Sequence, residues 1–185
     1  MVRDGAQIEA VEALGAEAVL ADLTEDVTRA VSGRDAVIFA AGSGGDDVWG
    51  GDRDGAINLI DTAEAQGAER FVMPSAINAD SPEESPEALR EYLRAKAEAD
   101  QYLRESELTY TVVRPGSLTN EEGTGRIRTG ADLDRESGDV PRADVAHTLV
   151  AALTAESTHG LTFEVLSGDE PVEDALRDPL GDVGG

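Results

Sequence analysis

Short apolar runs of strand length alternate with stretches of helical spacing along most of the chain. The predicted strands cover 18–21, 36–41, 70–73, 110–113 and 162–166. The predicted helices cover 7–14, 24–31, 53–66, 86–105 and 143–153. Strands that are apolar on both faces and alternate with helices are typical of a parallel sheet covered on both sides. The pattern therefore predicts a doubly wound α/β domain over 1–167 and a loose, acidic tail over 168–185.

The charge of the chain narrows the choice of partners. There are 39 acidic against 15 basic residues, which gives a formal net charge of -24. Such a field repels nucleic acids and anionic membranes, so we expect neither as a partner. Lys96 is the one lysine in the chain, and the other basic residues are arginines. This composition resembles that of proteins from salt-adapted organisms, and an ordinary acidic protein is the alternative.

Several kinds of site and location are not expected from this sequence. The chain has no cysteine, and His147 and His159 stand apart without a metal-ligand spacing, so no metal site is expected. No apolar run approaches the roughly 18 to 20 residues that span a bilayer. The first residues carry no signal-peptide pattern either. We therefore expect a cytoplasmic protein.

Chemistry in a doubly wound fold is sought beyond the carboxyl ends of the strands, where its ligands bind. Tyr92 and Lys96 lie four residues apart in the predicted helix 86–105 and thus share one face. An ammonium beside a phenol favours the phenolate, which would lower the pKa of Tyr92. A phenol in that state can exchange a proton with a carbonyl or alcohol. The alternative is that Tyr92 is a half-buried packing residue and Lys96 is solvated.

The strand-end residues and the Tyr92/Lys96 pair, taken in chain order, resemble the atypical short-chain dehydrogenases. This is the NAD(P)-binding, Rossmann-like branch with NmrA-like and flavin-reductase-like members, and the resemblance covers about residues 1–166. It implies that Tyr92 is the general acid/base and that Lys96 is its electrostatic partner. It also implies that Ser75, which follows the strand 70–73, orients the substrate carbonyl.

The same resemblance implies where a dinucleotide would bind. The implied contacts are Asp22 and Leu23 at the adenine, Ala40, Ala41 and Gly42 at the adenosine ribose, Lys96 at the nicotinamide ribose, and Pro115, Gly116 and Ser117 beside the nicotinamide. Arg3 lies where the family reads the 2′-phosphate of NADP, and a guanidinium suits a phosphate. NADP is therefore the expected cofactor, with NAD as the alternative. A turn-forming Asp22 and a solvated Arg3 are the competing interpretations of those two residues.

The family also opens with a strand, a glycine-rich turn and a helix that holds the pyrophosphate. The chain begins instead with Met1-Val2-Arg3-Asp4, which resembles the end of the family's second strand. We expect that the first βα unit and most of the second strand, roughly 30 residues, are lacking. A misassigned start, a decayed gene and self-association through the exposed sheet edge at 36–41 are the explanations considered. The first of these is preferred, and we expect the chain as given to bind dinucleotides poorly.

Three functions are compatible with these observations. The first is an NAD(P)-dependent oxidoreductase that transfers a hydride between a nicotinamide and a small carbonyl or alcohol. The second is a non-catalytic NAD(P)-binding sensor of the NmrA-like kind. The third is a relative of the sugar-nucleotide epimerases, although the chain after Arg142 leaves little room for a substrate domain.

Overall fold

The computed structural model describes residues 1–42, 47–133 and 138–181. Its strands are β1 (Ala36–Ile38), β2 (Arg70–Pro74), β3 (Thr109–Pro115), β4 (Ser117–Thr119), β5 (Arg126–Gly130), β6 (Asp139–Pro141), β7 (Leu161–Ser167) and β8 (Glu170–Pro171). Its α-helices are α1 (Ile8–Glu12), α2 (Thr28–Val31), α3 (Gly55–Ala65), α4 (Glu87–Glu105), α5 (Arg142–Ala152) and α6 (Val172–Ala175). A π-helical segment, Val48–Asp54, leads directly into α3.

The central sheet has the strand order β1-β2-β3-β7-β5-β8. Strands β1, β2, β3 and β7 are parallel, and α3 and α4 form the crossovers between the first three. The predicted doubly wound α/β fold is confirmed. The sheet is mostly rather than wholly parallel, because β5 runs antiparallel to both β7 and β8. Its sequence, Arg-Ile-Arg-Thr-Gly, holds one buried apolar side chain, Ile127, so no apolar run marked it as a strand.

Alternate side chains of the central strands pack into two separate core layers, one on each face of the sheet. Phe71 and Met73 pack in one layer with residues of α3 and α4. Val72, which lies between them on β2, packs in the other layer with residues of α5 and α6. Successive side chains of a strand point to opposite faces of its sheet, so this division shows that helices cover both faces.

The first part of the chain differs from the prediction in two places. Segment 18–21 is not a buried strand, because it forms one parallel bridge, Val2 to Leu20, and Leu20 is 55% exposed. The helix expected from Thr24 begins only at Thr28. The reason is local: the Asp22 carboxylate accepts hydrogen bonds from the Thr24 N–H and hydroxyl, each at 2.9 Å, and so stabilises a turn there.

The prediction of a loose tail from Gly168 onwards is wrong for the residues described. Residues 170–175 form β8 and α6, and Val172, Ala175 and Leu176 are buried in the second core layer. The acidic composition of this segment led to the prediction that it is loose. However, Val172, Ala175 and Leu176 are spaced by three and four residues, which places them on one buried face of a helix. The last four positions of the predicted tail, 182–185, lie outside the described residues. No helix in the described part of the chain is long and apolar enough to cross a membrane.

Candidate active site

A cavity of about 730 Å³ lies beyond the carboxyl ends of β1, β2 and β3, between α4 and α5. Its walls include Ala40, Ala41, Gly42, Val48, Asp52, Pro74, Ser75, Leu89, Glu91, Tyr92, Lys96, Pro115, Leu118, Arg142, Val145 and Leu149. Its volume is in the range of small-molecule and cofactor sites, and its position is where doubly wound folds bind ligands. The cavity therefore brings together the three predicted catalytic residues Ser75, Tyr92 and Lys96.

Tyr92 and Lys96 lie side by side on the wall that α4 contributes. The Lys96 Nζ is 5.7 Å from the centre of the Tyr92 ring and 5.8 Å from the centre of the Phe39 ring. Both distances are within the range of cation–π attraction. The predicted sharing of a helix face is confirmed, and the interpretation of Lys96 as a solvated residue is wrong, since only 4% of it is exposed.

The charge of Lys96 is balanced by a carboxylate that comes from the π-helical segment. The Lys96 Nζ lies 3.1 Å from Asp52 Oδ1, and both side chains are buried. Burial, together with the charges of the Asp52 and Asp100 carboxylates, raises the pKa of Tyr92 to about 12. The prediction of a lowered pKa for Tyr92 is therefore wrong. Because Asp52 is present, the ammonium beside the phenol does not act as an isolated positive charge.

Ser75 belongs to a buried polar network behind the cavity wall. Its Oγ donates a hydrogen bond to Asp100 Oδ2 at 2.9 Å. Arg114 contacts the same oxygen through Nε at 3.3 Å and Nη2 at 3.1 Å, and its Nη1 donates to Asp80 at 2.8 Å. Burial raises the pKa of Asp100, while the charge of Arg114 and the hydrogen bond from Ser75 oppose that rise. Asp100 itself is completely buried.

The predicted cofactor contacts are only partly brought together. Ala40, Ala41, Gly42 and Pro115 line the main cavity, while Gly116 and Ser117 line a smaller one of about 260 Å³ that also borders Tyr92. Leu23 lines a separate depression. Hydrogen bonds from Thr24 lower the pKa of Asp22, and the charge of Arg3 lowers it further, so Arg3 and Asp22 are neighbours. The main cavity thus contains neither of them.

The lining residues fit the nicotinamide end of a dinucleotide. The Lys96/Asp52 pair offers ribose hydroxyls one donor and one acceptor, and Val145, Leu149 and Leu89 offer an apolar surface to a ring. Glycine is required at Gly116, where an added Cβ would lie 2.4 Å from Leu166 Cδ2 and 2.5 Å from the Gly138 carbonyl oxygen. A side chain there would displace the backbone at Gly138 beside the smaller cavity.

Two site residues were missed by the sequence reasoning, Asp52 and Asp100. Asp100 lies four residues after Lys96 on α4, so helical spacing was an available signal for it. Asp52 had no such signal, because it comes from a distant segment whose π-helical form positions it against Lys96. π-Helical turns are frequent at functional sites.

Comparisons with known proteins agree with this geometry. A family model described as NAD(P)H-binding matches residues 1–156. The chain belongs to this NAD(P)H-binding family. The sequence is 45% identical over 184 residues to a Bacillus subtilis (strain 168) protein named as an uncharacterized sugar epimerase, YhfK, and the match covers 96% of this chain and 85% of that protein. The predicted membership in an NAD(P)-binding family is thereby confirmed, and the matches are consistent with its atypical short-chain dehydrogenase branch.

Two solved structures share the fold closely. A Bacillus halodurans protein, provisionally named an NAD-dependent epimerase/dehydratase, has a TM-score of 0.91 and 40% identity, and the match covers 96% of this chain and 85% of that one. The oxidoreductase ylbE from Lactococcus lactis has a TM-score of 0.81 and 32% identity, with 91% of this chain and 80% of that one covered. Members of the family thus carry names of both the epimerase and the oxidoreductase kind.

Proposed function

We propose that this protein is an NAD(P)H-dependent reductase of the atypical short-chain dehydrogenase type, which acts on a small carbonyl compound. One observation carries the proposal: the Tyr92 phenol and the buried Lys96 ammonium stand side by side on the wall of a ligand-sized cavity at the carboxyl ends of the strands. The raised pKa of Tyr92, about 12, keeps the phenol protonated at neutral pH, which is the form that a general acid needs.

When bound, a reduced nicotinamide supplies a hydride with its electron pair to the carbonyl carbon. Tyr92 donates its phenolic proton to the carbonyl oxygen, which becomes a hydroxyl. The phenolate left on Tyr92 lies next to the Lys96 ammonium, which stabilises it until a proton returns from water.

NADP(H) is the dinucleotide that we propose, on the basis of Arg3. The guanidinium of Arg3 is exposed and lies near Asp22, so it is available to a phosphate on the adenosine ribose. We expect Arg3→Ala to weaken NADPH binding about tenfold and to leave NADH binding unchanged. Calorimetric titration of both dinucleotides would check this, and equal losses for the two would contradict the assignment.

A non-catalytic NAD(P)-binding sensor is the second candidate, and a specific observation favours it. Lys96 is paired with Asp52, and the Ser75 proton is directed to Asp100, so two of the three predicted catalytic groups are already engaged. An epimerase function, which the name of the Bacillus subtilis relative suggests, is the third candidate. Turnover, rather than binding, separates the reductase from the sensor.

The test compares two tyrosines of the same helix in the full chain. Tyr92 lines the cavity, whereas the hydroxyl of Tyr102, which is 37% exposed, donates to Asp61 away from it. We expect Tyr92→Phe to lower the rate of NADPH oxidation with small ketones by about 10²- to 10⁴-fold and to leave NADPH affinity unchanged. Tyr102→Phe is the matched control and should retain full activity. Binding of NADPH without turnover by the wild-type protein would support the sensor instead.

A further inference from the structure

A buried residue behind the cavity wall determines whether Ser75 can donate a hydrogen bond into the cavity. Ser75 lines the cavity, yet its Oγ donates its proton to Asp100 Oδ2, which is buried on the far side. A serine hydroxyl carries one proton and two lone pairs. With the proton directed to Asp100, the cavity side of Ser75 offers lone pairs, and Ser75 can therefore accept but not donate a hydrogen bond there.

The Asp100 carboxylate is held rigidly in the orientation that this requires. Arg114 on β3 contacts the same Oδ2 through two nitrogens, and its third nitrogen is bonded to Asp80. The side chain of Asp100 has no exposed surface, and that of Arg114 is 7% exposed. Charge-assisted hydrogen bonds between buried groups are strong and fix geometry, so Asp100 does not swing away to release Ser75.

Tyr92, on the same cavity wall, supplies a hydrogen-bond donor that complements Ser75. Tyr92 retains its proton because its pKa is raised, so it is a donor. Ser75, which directly follows β2, is a hydrogen-bond acceptor that lines the same cavity. A carbonyl oxygen alone would satisfy the phenol and leave the lone pairs of Ser75 without a partner, which is costly in a desolvated site. A substrate that carries a hydroxyl or N–H beside its carbonyl satisfies both residues.

We propose that Asp100 is a positioning residue that turns the Ser75 proton away from the cavity, and that the site thereby selects carbonyl substrates with an adjacent hydrogen-bond donor. This inference rests on the proposed function, because it takes the cavity as the substrate site. It assigns Ser75 a role different from orienting the substrate carbonyl. In this arrangement Tyr92 contacts the carbonyl oxygen, and Ser75 accepts a hydrogen bond from the neighbouring O–H or N–H.

A pair of probes that differ in one donor tests the proposal. α-Hydroxyacetophenone carries the hydroxyl beside its carbonyl, and α-methoxyacetophenone has the same skeleton with that proton replaced by methyl. Calorimetry with NADP⁺ present, which cannot reduce the probes, should show that the wild-type protein binds the hydroxyl probe about tenfold more tightly. Ser75→Ala removes the acceptor and should bring the ratio of the dissociation constants of the two probes to about one. Equal binding of the two probes by the wild-type protein, or binding of neither, overturns the inference.

The role of Asp100 is tested separately from that of Ser75. Asp100→Leu combined with Arg114→Met removes the acceptor of the Ser75 proton together with the buried charge that faces it, which lets the serine proton turn into the cavity and should abolish or reverse the preference. Asp100→Asn keeps an oxygen that accepts from both Arg114 and Ser75, and should therefore retain the preference. Asp61→Asn, an exposed carboxylate bonded to Tyr102, is the control and should keep the preference. A preference that survives the double replacement or Ser75→Ala overturns the proposal, and Ser75→Ala decides the point alone if the double variant does not fold.

Turnover distinguishes this inference from the proposed function. If the hydroxyl probe binds with the expected preference but NADPH is not oxidised, the reductase function fails and the polarity of the cavity stands. If both probes are reduced at equal rates and bound equally, the reductase function stands and the selection by Ser75 and Asp100 fails.

Discussion

The Lys96 ammonium and the Asp52 carboxylate lie 3.1 Å apart, and each side chain is no more than 5% exposed. This pair joins the π-helical segment to α4 at the wall of the cavity. Burial is the main cause of the raised pKa of Tyr92, and the negative charge of Asp52 adds to it. The proton affinity of Tyr92 therefore depends in part on a residue that is distant from it in the sequence.

Removing the charge of Asp52 should make Tyr92 easier to ionise. In Asp52→Asn one of the carboxylates that raise the pKa of Tyr92 is lost, and Lys96 is released to stabilise the phenolate. We expect the tyrosinate absorbance step assigned to Tyr92 to move to lower pH, by on the order of one unit. Subtracting the titration of Tyr92→Phe identifies the step. An unchanged step would show that Asp52 does not control the phenol.

The raised pKa of Tyr92 also makes stability depend on pH. The folded pKa is about 12 and the ordinary value is 10.0, so the neutral phenol is favoured in the folded state. The contribution is complete below about pH 10 and is lost as the pH rises towards 12, because the unfolded chain ionises first. Urea unfolding should show a loss of about 2 kcal/mol over this window that is absent in Tyr92→Phe. The same loss in that variant would contradict the assignment.

Arg70 is expected to be a structural arginine at the end of the sheet opposite the cavity. It is buried on β2 and donates to the Thr109 carbonyl at 2.8 Å, to the Ala152 carbonyl at 2.7 Å and to Thr158 Oγ1 at 3.1 Å. Arg70→Met leaves these buried acceptors unsatisfied and should lower the free energy of unfolding by about 2–4 kcal/mol.

The control for Arg70→Met is an arginine on the surface. The Arg34 side chain is 49% exposed and pairs with Glu17, which is 74% exposed. Exposed pairs of this kind contribute little, so Arg34→Met should change the free energy of unfolding by less than about 1 kcal/mol. Urea unfolding of both variants checks the prediction, and similar losses in the two would argue against a special role for Arg70.

The segment after Gly168 is expected to contribute to stability. Leu176 follows α6 and is 1% exposed in the second core layer. Leu176→Ala should cost about 2–5 kcal/mol of unfolding free energy, since it removes buried methyl groups and leaves a cavity. Leu14→Ala, at a leucine that is 87% exposed, should be close to neutral. If thermal unfolding midpoints of the two variants coincide, the packing of this segment is not important for stability.

The acidic surface predicts a dependence of stability on salt. A net charge of -24 on a small domain is self-repulsive, and salt screens repulsion between exposed charges beyond about 3 Å at molar ionic strength. We expect the thermal unfolding midpoint to rise between dilute and molar KCl by more than it rises with sucrose at matched osmolality. An equal rise with both solutes would assign the effect to general solute exclusion rather than to charge screening.

Elements with an uninterrupted apolar run or a clear helical period were found in the sequence. β2, β3, β7, α3, α4 and α5 lie within a few residues of the predicted ranges. The strands at the edge of the sheet were not predicted, because β5 has one buried apolar side chain and β8 is two residues long. The apolar run at 18–21 was predicted as a buried strand but is not one. An apolar run becomes a buried strand only when strands pair with it on both sides, and this segment forms one bridge.

The sequence alone determined the doubly wound fold, the edge of the sheet at which a ligand binds, and the alignment of Tyr92 with Lys96 on one helix face. These follow from local periodicity, which the order of residues fixes directly. Only the tertiary structure decided the electrostatics of the site. Asp52 comes from a distant segment and Asp100 faces Ser75 from another element, so the pKa of Tyr92 and the direction of the Ser75 proton depend on contacts through space.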